Sequence, residues 1–344
     1  MRTLAPNLVH RFAPPNRAMM PPVTLQISLA PGDHRLAAEL LKHQTEFWRR
    51  GVDEILLTID TRRSRGRFGE NWKAGRQRIL EIAAKIPGAR VLEVDYSREA
   101  RHSVSDEFFA GSPIPSKDWR GGPYYAYFFG LHAARHDFVL HADSDMFFGG
   151  DSLRWLEAAL PLYAEQPDLL FLAPLPGPPA PGARLKQLTA PREKIGGIEG
   201  FCFTEMSTRL FLISRARFRG RIIALQPRPP ATRRASVLAL LDGHPAHELP
   251  ENLLSEAMAR QGLKRFDFAG PSPGCWSLHP PYRSTDFFEK LSALISLVER
   301  GDLPADQLGD HDINASLIDW SKAITHMKTR RWYHRLFQRF FSRP

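Results

Sequence analysis

Cysteine is scarce: Cys202 and Cys275 are the only two in 344 residues. A disulfide scaffold is thereby excluded, with room for one bridge at most. No apolar run is long enough to cross a bilayer. Arg2, Arg11 and Arg17 have no continuous apolar stretch behind them, so the N-terminus does not read as a secretory signal. The expectation is a cytoplasmic chain. Acidic residues are missing from Lys322–Pro344, which holds seven Lys or Arg. That segment supplies +7 of the net charge of +10, leaving a body only mildly basic. Such a balance demands no general nucleic-acid footprint.

What is present fits a globular chain, with 43% hydrophobic and 24% charged residues. Residues 1–22 are rich in Pro, Arg and Ala without periodicity and read as a loose arm. After them strands and helices alternate. "VTLQISLA" (23–30) is a strand, and "HRLAAELLKHQTEFWRR" has helical spacing at Leu36, Leu40, Leu41 and Phe47. "VDEILLTID" (52–60) is a second strand, "GRQRILEIAAKI" a helix and "ARVLEVDYS" (89–97) a third strand. A polar stretch leads to a helix in "GPYYAYFFGLHAARH" and a fourth strand in "DFVLHAD". This alternation predicts a parallel sheet covered on both faces, in an α/β fold. Beyond Gly150 the reading gives a helix over 152–166 capped by Asp151 and a short strand in "DLLFLAP". Pro174–Lys194 is predicted to form no regular element, because prolines remove donors and fix φ. "STRLFLISRARF" reads as a strand running into a turn, 250–262 as a helix started by Pro and stopped by Gly, and "STDFFEKLSALISLVERG" as an amphipathic helix.

Ligands in such sheets sit beyond the carboxyl ends of the strands. Asp60, Asp95, Asp143 and Asp145 all fall there. Each alone suits a turn or a helix cap; four at one edge suggest a site. Asp143 and Asp145, at i and i+2, can converge on one hard cation, Mg²⁺ or Mn²⁺, of the kind that bridges carboxylates to phosphates.

"GLHAARHDFVLHADSDMFF" resembles the helix, buried strand and Asp-x-Asp of GT-A fold nucleotide-sugar glycosyltransferases. The resemblance extends from Val23 to Arg283 through the order of the elements. It implies a GT-A-type three-layer fold with a mostly parallel sheet and a C-terminal helical extension. The implied divisions are an arm (1–22), a nucleotide-sugar-binding half (23–150), an acceptor-binding half (151–283) and C-terminal helices (284–344). The implied reaction is metal-dependent transfer from a nucleotide-diphosphate sugar to an acceptor hydroxyl, glycan or lipid-linked. By the same resemblance Asp60 is the base-contacting acid and Asp95 a further nucleotide contact. Asp143 faces ribose or metal, Asp145 is the main metal ligand, and His279 in "CWSLHPP" completes the metal site. His279 also reads as a loop histidine before a Pro-Pro turn. "PENLLSEAMARQGLK" resembles the family's Glu-Asp helix but carries Glu251-Asn252. Asn cannot take a proton, so Glu251 is the candidate base; an acid in a helix's first turn equally offsets the macrodipole. A retaining reaction would need no such base.

Two alternatives stay open. Haloacid-dehalogenase-type phosphatases also place Asp-x-Asp after a hydrophobic strand, with Asp143 then the nucleophile. Asn252 also suits a non-catalytic, membrane-attached binding protein on a transferase scaffold. Lys328–Phe341 sets Tyr333, Leu336, Phe337, Phe340 and Phe341 at helical spacing opposite arginines, as in a helix lying on an anionic membrane or docked on the body. The arginines of "DTRRSRGR" (60–67) suit phosphate contact or plain solvation.

Overall fold

The chain's computed structural model describes residues 20–63, 72–181, 184–186 and 190–329. The strands in chain order are β1 (Val23–Leu29), β2 (Glu54–Ile59), β3 (Ala89–Glu93), β4 (Phe138–Asp143), β5 (Phe147–Gly150), β6 (Leu169–Pro176), β7 (Arg192–Ile195), β8 (Ile198–Phe203), β9 (Leu210–Ser214), β10 (Lys264–Phe268) and β11 (Cys275–Leu278). The helices are α1 (His34–Arg49), α2 (Trp72–Ala84), α3 (Arg98–Phe109), α4 (Tyr125–Ala133), α5 (Ser152–Glu165), α6 (Arg215–Arg221), α7 (Arg233–Asp242), α8 (Pro250–Gln261), α9 (Thr285–Arg300) and α10 (Ser321–Thr329).

The main sheet has the order β3-β2-β1-β4-β9-β6-β10-β8-β7. Its first four strands are parallel, as the alternation predicts. β2 is buried at all six positions, the signature of a strand covered on both faces. The one sheet continues past residue 150, because β9 returns antiparallel between β4 and β6. One face packs Leu25 and Ile27 against Leu41 and Trp48 of α1, Ile79 of α2 and Trp155 of α5. The other packs Leu56 and Val139 against Phe108 of α3, Phe128 of α4 and Leu254 of α8. A third cluster joins Phe147, Trp276 and Leu278 to Phe287 and Leu291 of α9 and to Trp320.

Local chemistry sets the boundaries. Asp151 accepts from the Arg154 N–H and starts α5, as expected. Pro250 opens α8, and Gly262 closes it at φ +62°. Three expectations are corrected. The "polar stretch" after β3 contains α3, started by a Ser97 cap that accepts from the Ala100 N–H. The turn after β9 is the helix α6. Pro174–Lys194 is not irregular throughout: Pro174–Pro176 complete β6, and Arg192–Lys194 belong to β7. Prolines are tolerated there because β9 pairs only with Phe171 and Leu172, leaving one side of the strand's end without a ladder while β11 pairs along the other. The loop between is fastened too, with the Gly309 N–H donating to the Pro178 carbonyl and the Lys186 N–H to the Gly309 carbonyl.

His43 ties α1 to β5 and α9. Its Nε2 accepts the Phe148 N–H at 3.0 Å, so its Nδ1 donates to Glu299, also at 3.0 Å. Burial lowers its pKa below the ordinary 6.5, against the opposing pull of Glu299. A histidine with a depressed folded pKa contributes stability that is complete above its unfolded value and lost as pH falls through and below it. We expect unfolding free energy to drop by about 1–2 kcal/mol more in wild type than in His43→Gln between pH 7 and 5, because the protonated ring cannot accept from Phe148. Parallel denaturant titrations at the two pH values check this; identical slopes would refute it.

Candidate active site

β4 ends in Asp143, and the chain turns at once through Ser144 and Asp145 into β5. The turn is held from both sides. The buried Gln44 of α1 donates from Nε2 to the carbonyls of Asp143 (3.0 Å) and Met146 (2.8 Å). The Asp143 N–H donates to the Arg209 carbonyl at 2.8 Å. β5 then pairs antiparallel with β11, whose next residue is His279. The 311–313 strap fixes that histidine, because its N–H donates to the His311 carbonyl and its carbonyl accepts the Ile313 N–H.

The result is a compact charge cluster. Arg283 donates to Asp145 Oδ2 at 2.8 Å and to Asp33 Oδ1 at 2.6 Å. His279 Nε2 lies 3.5 Å from the same Asp145 oxygen, and its Nδ1 is 3.1 Å from Asp312 Oδ1. Burial pushes the Asp145 pKa up, but Arg283 and His279 overcome it and hold the carboxyl far below the usual range. Burial likewise works against the His279 imidazolium, yet its bonds to Asp145 and Asp312 raise its pKa to about 9. Asp143 behaves oppositely. It keeps 37% of its side-chain surface open, but desolvation and, more weakly, the Asp145 charge raise its pKa against His141. His141 is fully buried, its Nδ1 bonded to Gln26 Oε1 and its Nε2 3.5 Å from Asp143 Oδ1. Gln26 is anchored in turn by donating to Thr58 Oγ1 at 2.7 Å.

Asp60 follows β2, two strands away from β4 across β1 and so roughly 10 Å off. It is buried, ion-paired to the buried Lys117, and accepts from the Tyr96 hydroxyl (2.9 Å) and the Arg62 N–H (3.0 Å). Arg62 stacks on Tyr96; the rest of the arginine run from Ser64 onward lies outside the described residues. Asp95 stands at the same edge, exposed, and accepts from the Ser97 N–H in the turn leading to α3.

Glu251 reaches back from the first turn of α8. Its Oε1 accepts from the Thr208 N–H (3.1 Å) and hydroxyl (2.8 Å), one residue before Arg209. The Thr208 carbonyl accepts from Tyr127, whose hydroxyl feels the charges of both Asp143 and Glu251. Glu251 and Asp143 are thus both neighbours of Tyr127. Asn252 donates instead to Glu248 at 2.8 Å, and Glu256 pairs with Arg228.

Asp145 and His279 are thus in contact with Asp143 beside them, although among the described residues no three His, Cys, Asp or Glu side chains are gathered closely enough to hold a metal ion as they stand. By residue type, two carboxylates and an imidazole suit a divalent cation of the Mg²⁺ or Mn²⁺ class once His279 gives up its Nε2 proton, with Asp312 then orienting the ring from behind. Arg283 supplies the balancing positive charge here. Gln44, Arg283, Asp33, Asp312, Lys117, Thr208 and Arg209 escaped the sequence reading. Apart from Asp33, an acid just past a strand, none carried a local signal.

No family model matches the chain, and no curated protein does. Among solved structures it is similar to glucosyl-3-phosphoglycerate synthase from Mycobacterium tuberculosis in complex with Mn²⁺, uridine diphosphate and glucosyl-3-phosphoglycerate, at 12% identity over 82% of this chain and 79% of the other, with a TM-score of 0.36. It is also similar to galactosyltransferase LgtC in complex with donor and acceptor sugar analogues, at 15% identity over 71% and 72%, with a TM-score of 0.34. A mycobacterial protein gives 12% identity over 82% and 74%, with a TM-score of 0.33. Superpositions this loose carry no argument about the site.

Proposed function

We propose that the chain is a metal-dependent glycosyltransferase of the GT-A type, moving a sugar from a nucleotide-diphosphate sugar to an acceptor hydroxyl. The observation that carries the reading is the Asp143–Asp145 pair at the carboxyl end of β4, on the same sheet edge as Asp60 and with His279 3.5 Å from Asp145. Acids are costly to gather at a buried edge unless cations balance them.

Asp145, His279 and Asp143 would hold a Mg²⁺- or Mn²⁺-class ion, which when bound supplies charge neutralisation at a diphosphate. The separation of Asp60 from Asp143 is comparable to the length of a nucleoside. Asp60 would accept from the base as Lys117 yields one oxygen, and Asp95 is a further contact at that end. Arg283, paired with Asp145, and Arg209, whose charge acts on His279, would be the groups to meet diphosphate oxygens. Glu251, steadied by Thr208 at Oε1, is the candidate to take the acceptor's proton. Lys328–Phe341 is the candidate membrane-surface anchor for a lipid-linked acceptor; its side chains lie outside the described residues.

The phosphatase reading would put its nucleophile, Asp143, on the first strand of its core, whereas β4 is the fourth strand in chain order. The scaffold reading rests on Asn252, whose side chain is spent on Glu248.

The test is product formation from a panel of nucleotide-diphosphate sugars with Mn²⁺, in wild type and Glu251→Gln. We expect kcat to fall about 10²–10³-fold in the variant with donor KM little changed, the scale of general-base loss. A kcat within about threefold of wild type would remove Glu251 from the base role.

A further inference from the structure

Residues 215–241 contain seven arginines and no aspartate or glutamate. Five of these arginines are engaged by the protein itself. Arg215 and Arg219 hold Glu107, Arg217 and Arg221 hold backbone carbonyls, and Arg228 holds Glu248 and Glu256. Arg233 and Arg234, at the start of α7, are exposed. α7 is a well-delimited helix, capped by Thr232 and closed by Gly243 at φ +69°.

Its apolar face points the wrong way for a helix covering a core. The buried residues are the small Ala235 and Ala239, four apart on one side. On the opposite side Val237 is 54% exposed and Leu240 76% exposed, with Arg233 on the same face. Ile223, just beyond α6, is 90% exposed. These are three of the five large hydrophobic residues left exposed among the described residues.

We infer that α7, with the Ile223 turn before it, is a contact surface for an anionic lipid membrane. Val237 and Leu240 enter the boundary of the acyl region, and Arg233 and Arg234 meet headgroup phosphates. Charge selects this occupant. The C-terminal segment 330–344 has five arginines and no acid, so it is repelled from an arginine-bearing face. A second copy docked by a two-fold would bring the Arg233 and Arg234 of both copies into one interface. Apolar residues flanked by arginines on one exposed helix face match a headgroup interface, which takes up both.

α7 is joined to the loop that carries Lys117, the partner of Asp60. The segment after α7 packs on the 117–122 loop, where the Trp119 N–H donates to the His247 carbonyl at 2.9 Å and Gly121 backs onto the His244 ring. α8 and Glu251 follow directly. The inference does not depend on the transfer reaction and is separate from the tail.

Cys202 and Cys275 are both buried, so Leu240→Cys in the full chain can be labelled selectively with an environment-sensitive fluorophore. With vesicles of 30% phosphatidylglycerol in phosphatidylcholine we expect the label to brighten about threefold and to be quenched by spin-labelled lipid, with no response to pure phosphatidylcholine. Arg233→Gln/Arg234→Gln should weaken partitioning about 30-fold, from roughly fivefold per arginine. A protein that sediments with anionic vesicles while the label at 240 stays unchanged would overturn the proposal, as would no sedimentation at all. A label that responds only to an acidic protein would also overturn it.

Discussion

Asp145→Asn is expected to lose about 10³-fold in sugar transfer, the scale of removing one preorganised charge from a site that stabilises developing negative charge. The loss is large because Asp145 is the hub of the cluster, meeting Arg283 at 2.8 Å and His279 at 3.5 Å. It also costs stability. A carboxylate held below its ordinary pKa contributes stability that is full above the unfolded value and lost as pH falls through the carboxylate range. Asparagine should therefore lower unfolding free energy at pH 7 by about 2 kcal/mol, as for a hydrogen bond to a charged group. Asp33 still pairs with Arg283, so the variant remains folded at 25 °C. Activity and denaturant midpoint measured on one preparation separate the two effects. A variant with full turnover would contradict the site assignment.

Gly150→Val is expected to destabilise the fold by about 4 kcal/mol, adding strain at positive φ to overpacking. Gly150 has φ +94°, and a Cβ there would lie 1.8 Å from the Gly274 carbonyl oxygen. Gly149 is as confined, because its Cβ would meet the Trp276 ring at 2.1 Å. The β5–β11 ladder closes only over bare backbone, and that ladder delivers His279 to Asp145. The apparent Tm should fall by roughly 5 °C. Gly220→Ala, on open space within α6, is the control and should be neutral or slightly stabilising. Equal melting of wild type and Gly150→Val would show that the ladder does not constrain the turn.

The legible parts of the chain are those whose periodicity and burial agree. β1, β2 and β4 are apolar runs covered on both faces, and they announce the parallel half. α7 has a Thr start and a Gly stop but turns its aliphatics outward, so no core-facing stripe marks it. β7 and β8 flank Gly196-Gly197, a pair suited to a hairpin, yet most of β7 falls inside the proline-rich run expected to be irregular, and β8, just beyond it, drew no expectation. At the site, the Asp-x-Asp announced itself because two charges ended an apolar run. Its supports did not. Gln44 is about a hundred residues from the turn it holds, and Arg283 is 138 from Asp145. A lone glutamine in an amphipathic helix and a lone arginine after a Pro-Pro turn have no spacing that points to a distant partner. Glu251 was found only through resemblance, and its Thr208 contact depends on β9 returning beside β4.

The most direct test is calorimetric titration of nucleoside diphosphates into the purified chain, with and without Mn²⁺, in wild type and Asp145→Asn. The account predicts wild-type binding at least about tenfold tighter with the metal, and no metal dependence in the variant. Binding that is equally tight without metal, or equally metal-dependent in both proteins, would contradict it.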